Sequence, residues 1–256
     1  MRIKPSRKRV FALSISNEKQ WKWPVILIFT RFFLAIFFQL LVTGIYLLLN
    51  DSNPLQSAGQ WFIVYGSLID LGCLILISRQ IRKEGKSLLD LVNIDKSHIV
   101  KGILIGLAFF LLFMPMSVVG MSLSYLLIFG TPYPPQLMGG IPLWGALYSV
   151  IVFPILWGFS EQITYQGYCL PRLINIFNNK WLAIALVSFG WMLQHTALPL
   201  MLDWKYMAFR MLSFLPLTIL MPIIFLRTKR LLPFIIAHWA MDMVAAVMGA
   251  LLPLLK

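Results

Sequence analysis

The residues of this chain that could do chemistry are ionisable side chains placed inside apolar segments. The sequence has only nine acidic residues and three histidines. Five of these twelve lie in apolar stretches: Asp70, Glu161, His195, His238 and Asp242. A charged side chain at the centre of a bilayer costs ~2.5 kcal/mol or more, so it usually faces a bundle interior or a wet cavity. We therefore predict one site, assembled from several helices, with these members: Glu161, His195, His238 and Asp242.

The types of these side chains fit the hydrolysis of a peptide bond by water. A carboxylate in a site of low dielectric binds a proton more readily than it does in water, which suits Glu161 to act as a general base. One histidine could orient the water or carry the proton, and the other could donate to a developing oxyanion. His238 and Asp242 are four residues apart and share a helix face, so Asp242 could fix the imidazole tautomer or point into the site.

Two other chemistries remain open at this stage. Glu161, His195 and His238 could hold a divalent metal such as zinc with an open coordination position, although no His-Glu-x-x-His motif is present. The sequence therefore predicts no definite cofactor. Ser160 and His238 are faintly similar to the catalytic pair of rhomboid-type serine proteases, but the glycines expected after each of them are missing.

The composition requires that membrane helices position this site. The chain is 59% hydrophobic and 12% charged, whereas soluble domains carry about 25% charged residues. Apolar runs of 18 residues or more are long enough to span ~30 Å of hydrocarbon as helix. We expect an all-α fold, a polytopic transmembrane helical bundle with seven or eight membrane helices.

The net charge of +13 is explained by topology and gives no support for nucleic-acid binding. Lysine and arginine cluster in alternate loops, as the positive-inside rule requires. We expect a multi-pass protein of the cell membrane with a cytoplasmic N-terminus. Residues 1–22 are predicted to be a basic cytoplasmic arm, and residues 23–256 a single transmembrane helical domain. Its expected partners are the lipid bilayer and a membrane-associated peptide or protein substrate.

Three details of the helices bear on the site. The first spanning helix is predicted over about residues 32–49, with Arg31 at its inner end and able to extend to the interface. Asp70, in the middle of the second helix, is expected to pair with Arg31 or with another donor. The fourth apolar stretch begins near Leu143 and runs into Glu161, and Pro154 and Gly158 leave open whether it is one helix or two pieces.

Three short motifs, each in an apolar helix, carry a family resemblance. They are Glu161-Gln162-Ile163-Thr164-Tyr165-Gln166-Gly167, Trp191-Met192-Leu193-Gln194-His195 and His238-Trp239-Ala240-Met241-Asp242. With these three motifs in this order, the chain resembles the CPBP intramembrane proteases over about residues 140–250. This family includes the type II CAAX prenyl proteases and bacterial proteins of bacteriocin processing and self-immunity. Its motifs are Glu-Glu-x-x-x-Arg, Phe-x-x-x-His and His-x-x-x-Asn or Asp.

The resemblance implies an intramembrane endopeptidase that is similar to CAAX prenyl protease 2. It implies that Glu161 activates water, that His195 is its partner, and that His238 and Asp242 stabilise the oxyanion or the water. The second Glu and the Arg of the first motif are Gln162 and Gln166 here, and we expect these supporting amides to form a neutral hydrogen-bonded pair. The altered motif also leaves a non-catalytic alternative: a membrane immunity or scaffold protein that binds a peptide or partner.

Overall fold

The computed structural model describes residues 22–94, 96–135, 137 and 140–255, and every regular element in these residues is helical. The predicted all-α class is confirmed. The basic arm predicted for residues 1–22 lies outside the described residues, apart from Lys22. The described part of the chain contains eleven α-helices: α1 (Lys22–Leu48), α2 (Pro54–Gly59), α3 (Phe62–Arg82), α4 (Leu88–Val92), α5 (Ile99–Phe129), α6 (Leu143–Ile151), α7 (Phe153–Glu161), α8 (Leu170–Phe177), α9 (Lys180–His195), α10 (Trp204–Thr228) and α11 (Leu232–Ala246).

Non-α helical segments interrupt two of the long apolar stretches. A π-helix, Gln162–Cys169, joins α7 to α8, and a second one, Val247–Leu251, follows α11. Short 3-10 turns occupy Lys96–His98 and Leu252–Leu254. Single π-turns within α-helices are often found at functional sites, and the first π-helix begins directly after Glu161.

Within the described residues, five helical stretches are long and apolar enough to cross a membrane. They are α1, α3, α5, α10 and the stretch Leu232–Leu254. A sixth span results if α6 and the continuous stretch Phe153–Phe177 are counted together across their bend of 41°. The 16-residue α9 is shorter than this length criterion. A polytopic helical membrane bundle is therefore confirmed, while the number of seven or eight crossings stays a prediction.

The first helix begins earlier than the sequence suggested. It starts at Lys22, so Arg31 lies well inside it and is fully buried instead of extending to the interface. The expectation that Arg31 is an interfacial anchor is wrong. The expected pairing with Asp70 is present, with 2.5 Å between Arg31 Nη1 and Asp70 Oδ1. A buried counter-charge on α3 lets the guanidinium stay in the bundle interior.

The fourth apolar stretch consists of two pieces. It bends at Val152, between α6 and α7, and Pro154 lies in the first turn of α7, where its missing N–H costs no helical hydrogen bond. Gly158 does not break α7. A Cβ at this position would lie 2.9 Å from the backbone nitrogen of Trp239, so the glycine lets α7 and α11 approach closely.

Contacts between loops and helix ends define the two ends of the bundle. At one end, which we call the basic end, Lys83 lies over the ring of Trp23 and Arg172 forms an ion pair with Glu84. At the other end, the distal end, the Gln39 amide donates to the carbonyl oxygens of Leu55 and Leu200. The helices therefore run between a basic end and a distal end.

The buried apolar side chains form two clusters along this axis. The larger cluster includes Leu27, Ile77, Tyr165 and Phe234, all with 0% exposure, and it fills the bundle towards the basic end. The smaller cluster lies nearer the distal end and includes Phe62, Phe153, Trp157, Leu198 and Ala246.

Candidate active site

A cavity of about 380 Å³ brings together the four predicted site residues. Glu161, His195, His238 and Asp242 all line it, and they come from α7, α9 and α11. The rest of the wall is mainly apolar and is supplied in part by α5 and α10. A mostly apolar cavity with a few convergent polar groups is the usual form of a small-molecule or peptide site.

Hydrogen-bond donors hold the Glu161 carboxylate in one orientation. The Oε1 atom accepts from Gln194 Nε2 at 2.7 Å and Arg31 Nη2 at 3.3 Å, and it also accepts from the indole of Trp157. The Oε2 atom accepts from Trp191 Nε1 at 2.5 Å and lies 3.7 Å from His238 Nε2. Oε1 is thus fully engaged, and Oε2 is the oxygen with a lone pair left towards the cavity.

Arg31 is the cation that neutralises this buried carboxylate. Besides Asp70 and Glu161, its guanidinium donates to Gln194 Oε1 at 2.5 Å and to Ser160 Oγ at 2.9 Å. The Asp70, Arg31 and Glu161 side chains are fully buried. A buried charge is tolerated when it is paired and its remaining hydrogen-bonding capacity is satisfied. Helices α1, α3, α7 and α9 meet at this one network.

His238 is oriented by Gln162, and Asp242 lies at the opposite edge of its ring. Gln162 Nε2 lies 3.0 Å from His238 Nδ1, and with the amide in this orientation Nδ1 accepts and Nε2 carries the proton. His238 Nε2 is 3.6 Å from Asp242 Oδ2. The shared helix face is as predicted, but the residue placed to set the tautomer is Gln162.

His195 ends α9 and is positioned by its surroundings in two ways. Its ring stacks on Phe214 with centroids 3.6 Å apart and 9° between the planes. Its carbonyl oxygen accepts from Arg210 Nε at 3.3 Å, and Arg210 also caps this helix end through the carbonyl oxygen of Leu198 at 2.8 Å. His195 thus reaches the same cavity as Glu161, even though it lies at the distal end of its helix.

The expected hydrogen bond between Gln162 and Gln166 is absent from the described structure. Both polar atoms of the Gln166 amide are buried without a hydrogen-bond partner, as is Gln162 Oε1. Both residues lie in the π-helix, which has more residues per turn than an α-helix. Positions 162 and 166 therefore lose the i,i+4 alignment on which the expectation depended, and only Gln162 contacts the site.

The arrangement does not fit the zinc site that the sequence left open. Among the described residues, no group of three or more His, Cys, Asp or Glu side chains could hold a metal ion. Glu161 directs most of its lone pairs at protein donors, and the His195 ring lies flat against Phe214. Cys73 and Cys169 are free, buried thiols.

Sequence reasoning missed four residues around Glu161, of which Arg31 is the most informative. Arg31 was expected to extend to the membrane interface, and no contact with Glu161 was predicted for Trp157, Trp191 or Gln194. A signal was available, because an arginine and a glutamine inside apolar helices each need a polar partner. Which partner each would find depends on helix packing that the sequence does not state.

Comparison with known proteins agrees with this geometry. Residues 143–244 match the family model described as type II CAAX prenyl endopeptidase Rce1-like. The matched region is less than half of the chain and contains all four predicted site residues, but it excludes Arg31 and Asp70. No curated protein and no solved structure gave a significant match. The resemblance predicted from the three motifs is confirmed: residues 143–244 are similar to the type II CAAX prenyl endopeptidases.

Proposed function

We propose that this protein is an intramembrane endopeptidase that hydrolyses a membrane-associated peptide or protein with water activated by Glu161. The family is one of peptidases. The observation that carries the proposal is the Glu161 carboxylate, which is fixed by four donors and faces the His238 imidazole at the wall of an apolar cavity.

The chemistry assigned to these groups is general-base hydrolysis. Glu161 Oε2 takes a proton from water as the water oxygen bonds to the carbonyl carbon of the substrate. The Nε2–H of His238 donates to the oxyanion that forms. The carbon–nitrogen bond then breaks, and Glu161 returns the proton to the leaving amine. His195, across the cavity, orients the attacking water.

The supporting residues keep these groups ready for reaction. Arg31 favours the ionised form of Glu161, which is the form that accepts a proton. Gln162 holds the His238 ring with Nε2–H towards the site. Asp242 Oδ2 is a buried oxygen without a hydrogen-bond partner in the described residues, so it is an acceptor available to water or to the substrate. No step requires a metal.

The first test is cleavage of a panel of membrane-tethered peptides by purified protein in lipid. Glu161→Gln keeps the size of the side chain and removes the base, so we expect cleavage to fall by at least the ~10²–10⁴-fold that general-base catalysis contributes. Ser160→Ala should retain measurable cleavage, because the Ser160 hydroxyl bonds Arg31 and is not the nucleophile. Cleavage lost in Ser160→Ala but kept in Glu161→Gln would contradict the proposal, and a chelator arm tests for metal.

A non-catalytic immunity or scaffold protein is the second candidate, favoured by the changed first motif. The Gln166 side chain makes no hydrogen bond in the described structure, although it stands where the family has an arginine. Peptide binding that is equal in wild type and Glu161→Gln, with no cleavage by either, would support this candidate. Cleavage by the wild type alone would exclude it.

A further inference from the structure

The cavity that contains Glu161 is closed towards the basic end of the bundle. The larger apolar cluster fills the bundle on that side. Four of its members form part of the cavity wall: Trp191, Leu217, Met221 and Met241. Its fully buried members Leu27, Ile77, Tyr165 and Phe234 do not line the cavity. Protein interiors packed in this way leave no passage for a hydrated peptide, so water and substrate must reach Glu161 from another direction.

Towards the distal end the cavity continues to the protein surface. Its wall runs from Glu161 along Phe214 and Ala245 to Pro134, Pro135 and Leu137, which follow the end of α5. A second cavity of about 500 Å³ shares Pro135 and Leu137 with the first and is lined by residues of the distal end, including Gln56, Gln60 and Pro199. The site is therefore approached from the distal end.

The distribution of cations assigns the two ends to the two faces of the membrane. Lys and Arg of the described residues are concentrated at the basic end, in the helix ends and loops there: Lys22, Arg79, Arg82, Lys83, Lys86, Lys101, Arg172, Lys180, Arg227, Lys229 and Arg230. The distal end carries Lys205 and the buried Arg210. The positive-inside rule places the cation-rich end in the cytoplasm.

From these observations we propose that the substrate enters the cavity from the extracytoplasmic face. The substrate class is then a peptide segment exposed on that face, such as an exported or outward-anchored precursor. A prenylated tail made in the cytoplasm would meet the closed, basic end. The substrate part of this proposal rests on the peptidase function above, whereas the direction of access does not depend on catalysis.

Labelling of single introduced cysteines with a membrane-impermeant maleimide tests the direction of access. Ser117→Cys places a thiol at the cavity wall, Ser52→Cys is the exposed control at the distal end, and Ser97→Cys is the exposed control at the basic end. The native thiols of Cys73 and Cys169 are fully buried, which keeps the background low. The full chain is used in right-side-out and in inverted membrane vesicles.

We expect the Ser117→Cys and Ser52→Cys variants to react in right-side-out vesicles, and Ser97→Cys to react only in inverted ones. Reaction of Ser117→Cys only in inverted vesicles would overturn the proposal. So would its failure to react in either preparation, or an exchange of the two controls.

Cleavage in oriented membranes tests the substrate class separately. Two single-span reporters carry the same scissile segment on opposite faces, and we expect loss of the full-length form only for the outward one. Cleavage of the inward reporter alone would overturn the substrate assignment. Cleavage of neither reporter, with the labelling as expected, would count against the peptidase function and leave the direction of access standing.

Discussion

The position of Glu161 depends on an arginine that lies far away in the sequence. Arg31 contacts Asp70, Ser160, Glu161 and Gln194, and all of these contacts are buried. The family motif carries an arginine four residues after its second glutamate, where this chain has Gln166. The cation near the Glu161 carboxylate is thus supplied here by α1, outside the region that matches the family.

We expect the buried charges to contribute unequally to the free energy of unfolding, and substitutions test this. Arg31→Met leaves two buried carboxylates without a cation, so we expect a loss of about 3–5 kcal/mol in the free energy of unfolding. Asp70→Asn leaves Arg31 paired with Glu161 and should cost less. The double variant should recover part of the loss of Arg31→Met. Unfolding by SDS in mixed micelles measures all three.

Comparison of the unfolding free energies of the three variants shows whether Arg31 and Asp70 stabilise the protein through their charges. If Asp70→Asn were as destabilising as Arg31→Met, or if the double variant lost the sum of the two single changes, the residues would be acting through packing alone. Additive effects are expected only for residues that do not interact.

At the scale of single residues, the sequence showed which side chains are polar inside apolar helices, but it predicted only one of their partners, Arg31 for Asp70. Glu161, His195, His238 and Asp242 were identifiable because each is polar inside an apolar stretch, and they do line one cavity. Trp157 gave no such signal, since an indole in a helix is compatible with simple packing, and the need of Gln194 for a polar partner did not identify Glu161 as that partner.

Among the elements, the π-helix after Glu161 determines which amide serves the site. Gln162 begins it and meets His238, whereas the Gln166 side chain, one π-turn on, makes no hydrogen bond in the described residues. The sequence-based expectation assumed an α-helix, in which positions four apart face each other. Nothing in the residue pattern distinguishes the two helix types, because the extra residue per turn is set by packing against α1, α3 and α4.

Close contact between α1 and α9 is the element-scale feature that supports the site. A Cβ at Gly190 would lie 1.9 Å from Ile28 Cγ2 and 2.8 Å from the Ile28 carbonyl oxygen. We therefore expect Gly190→Ala to separate the helices, to cost about 1–3 kcal/mol in unfolding free energy, and to reduce cleavage by moving Trp191 and Gln194 away from Glu161.

Gly44→Ala in α1 is the matched control, because no heavy atom lies within 4 Å of its added methyl group. Its stability should stay the same or rise slightly, as alanine is favoured over glycine in a helix by roughly 0.5–1 kcal/mol. Thermal unfolding and cleavage of both variants give the comparison. Equal effects of the two changes would show that the α1–α9 contact does not support the site.

At the scale of the whole molecule, the region that matches the family lacks two residues of the network around Glu161. The match covers residues 143–244, while Arg31 and Asp70 come from α1 and α3. Hydropathy was sufficient to predict a helical membrane bundle, because long apolar runs are specified residue by residue. The broken fourth span and the central role of α1 could not be predicted, since they result from how the helices pack.

A truncated chain that begins at Thr131 tests this dependence. It keeps the whole matched region and lacks α1 to α5, so we expect no cleavage, because Glu161 would lose its buried cation. Co-expression with residues 1–130 should restore part of the activity. Cleavage by the truncated chain alone, measured on the same membrane-tethered peptides, would mean that Arg31 and Asp70 are dispensable.

The length of α5 ties the cavity to the physical state of the bilayer. With 31 residues, α5 is about 46 Å long at ~1.5 Å per residue, against a hydrocarbon thickness of ~30 Å. A helix longer than its membrane tilts, kinks or thickens the lipid around it. Because Met114, Ser117 and Met121 of α5 line the cavity, we expect the width of its opening to change with hydrophobic mismatch, so that lipids of different chain length would regulate the site.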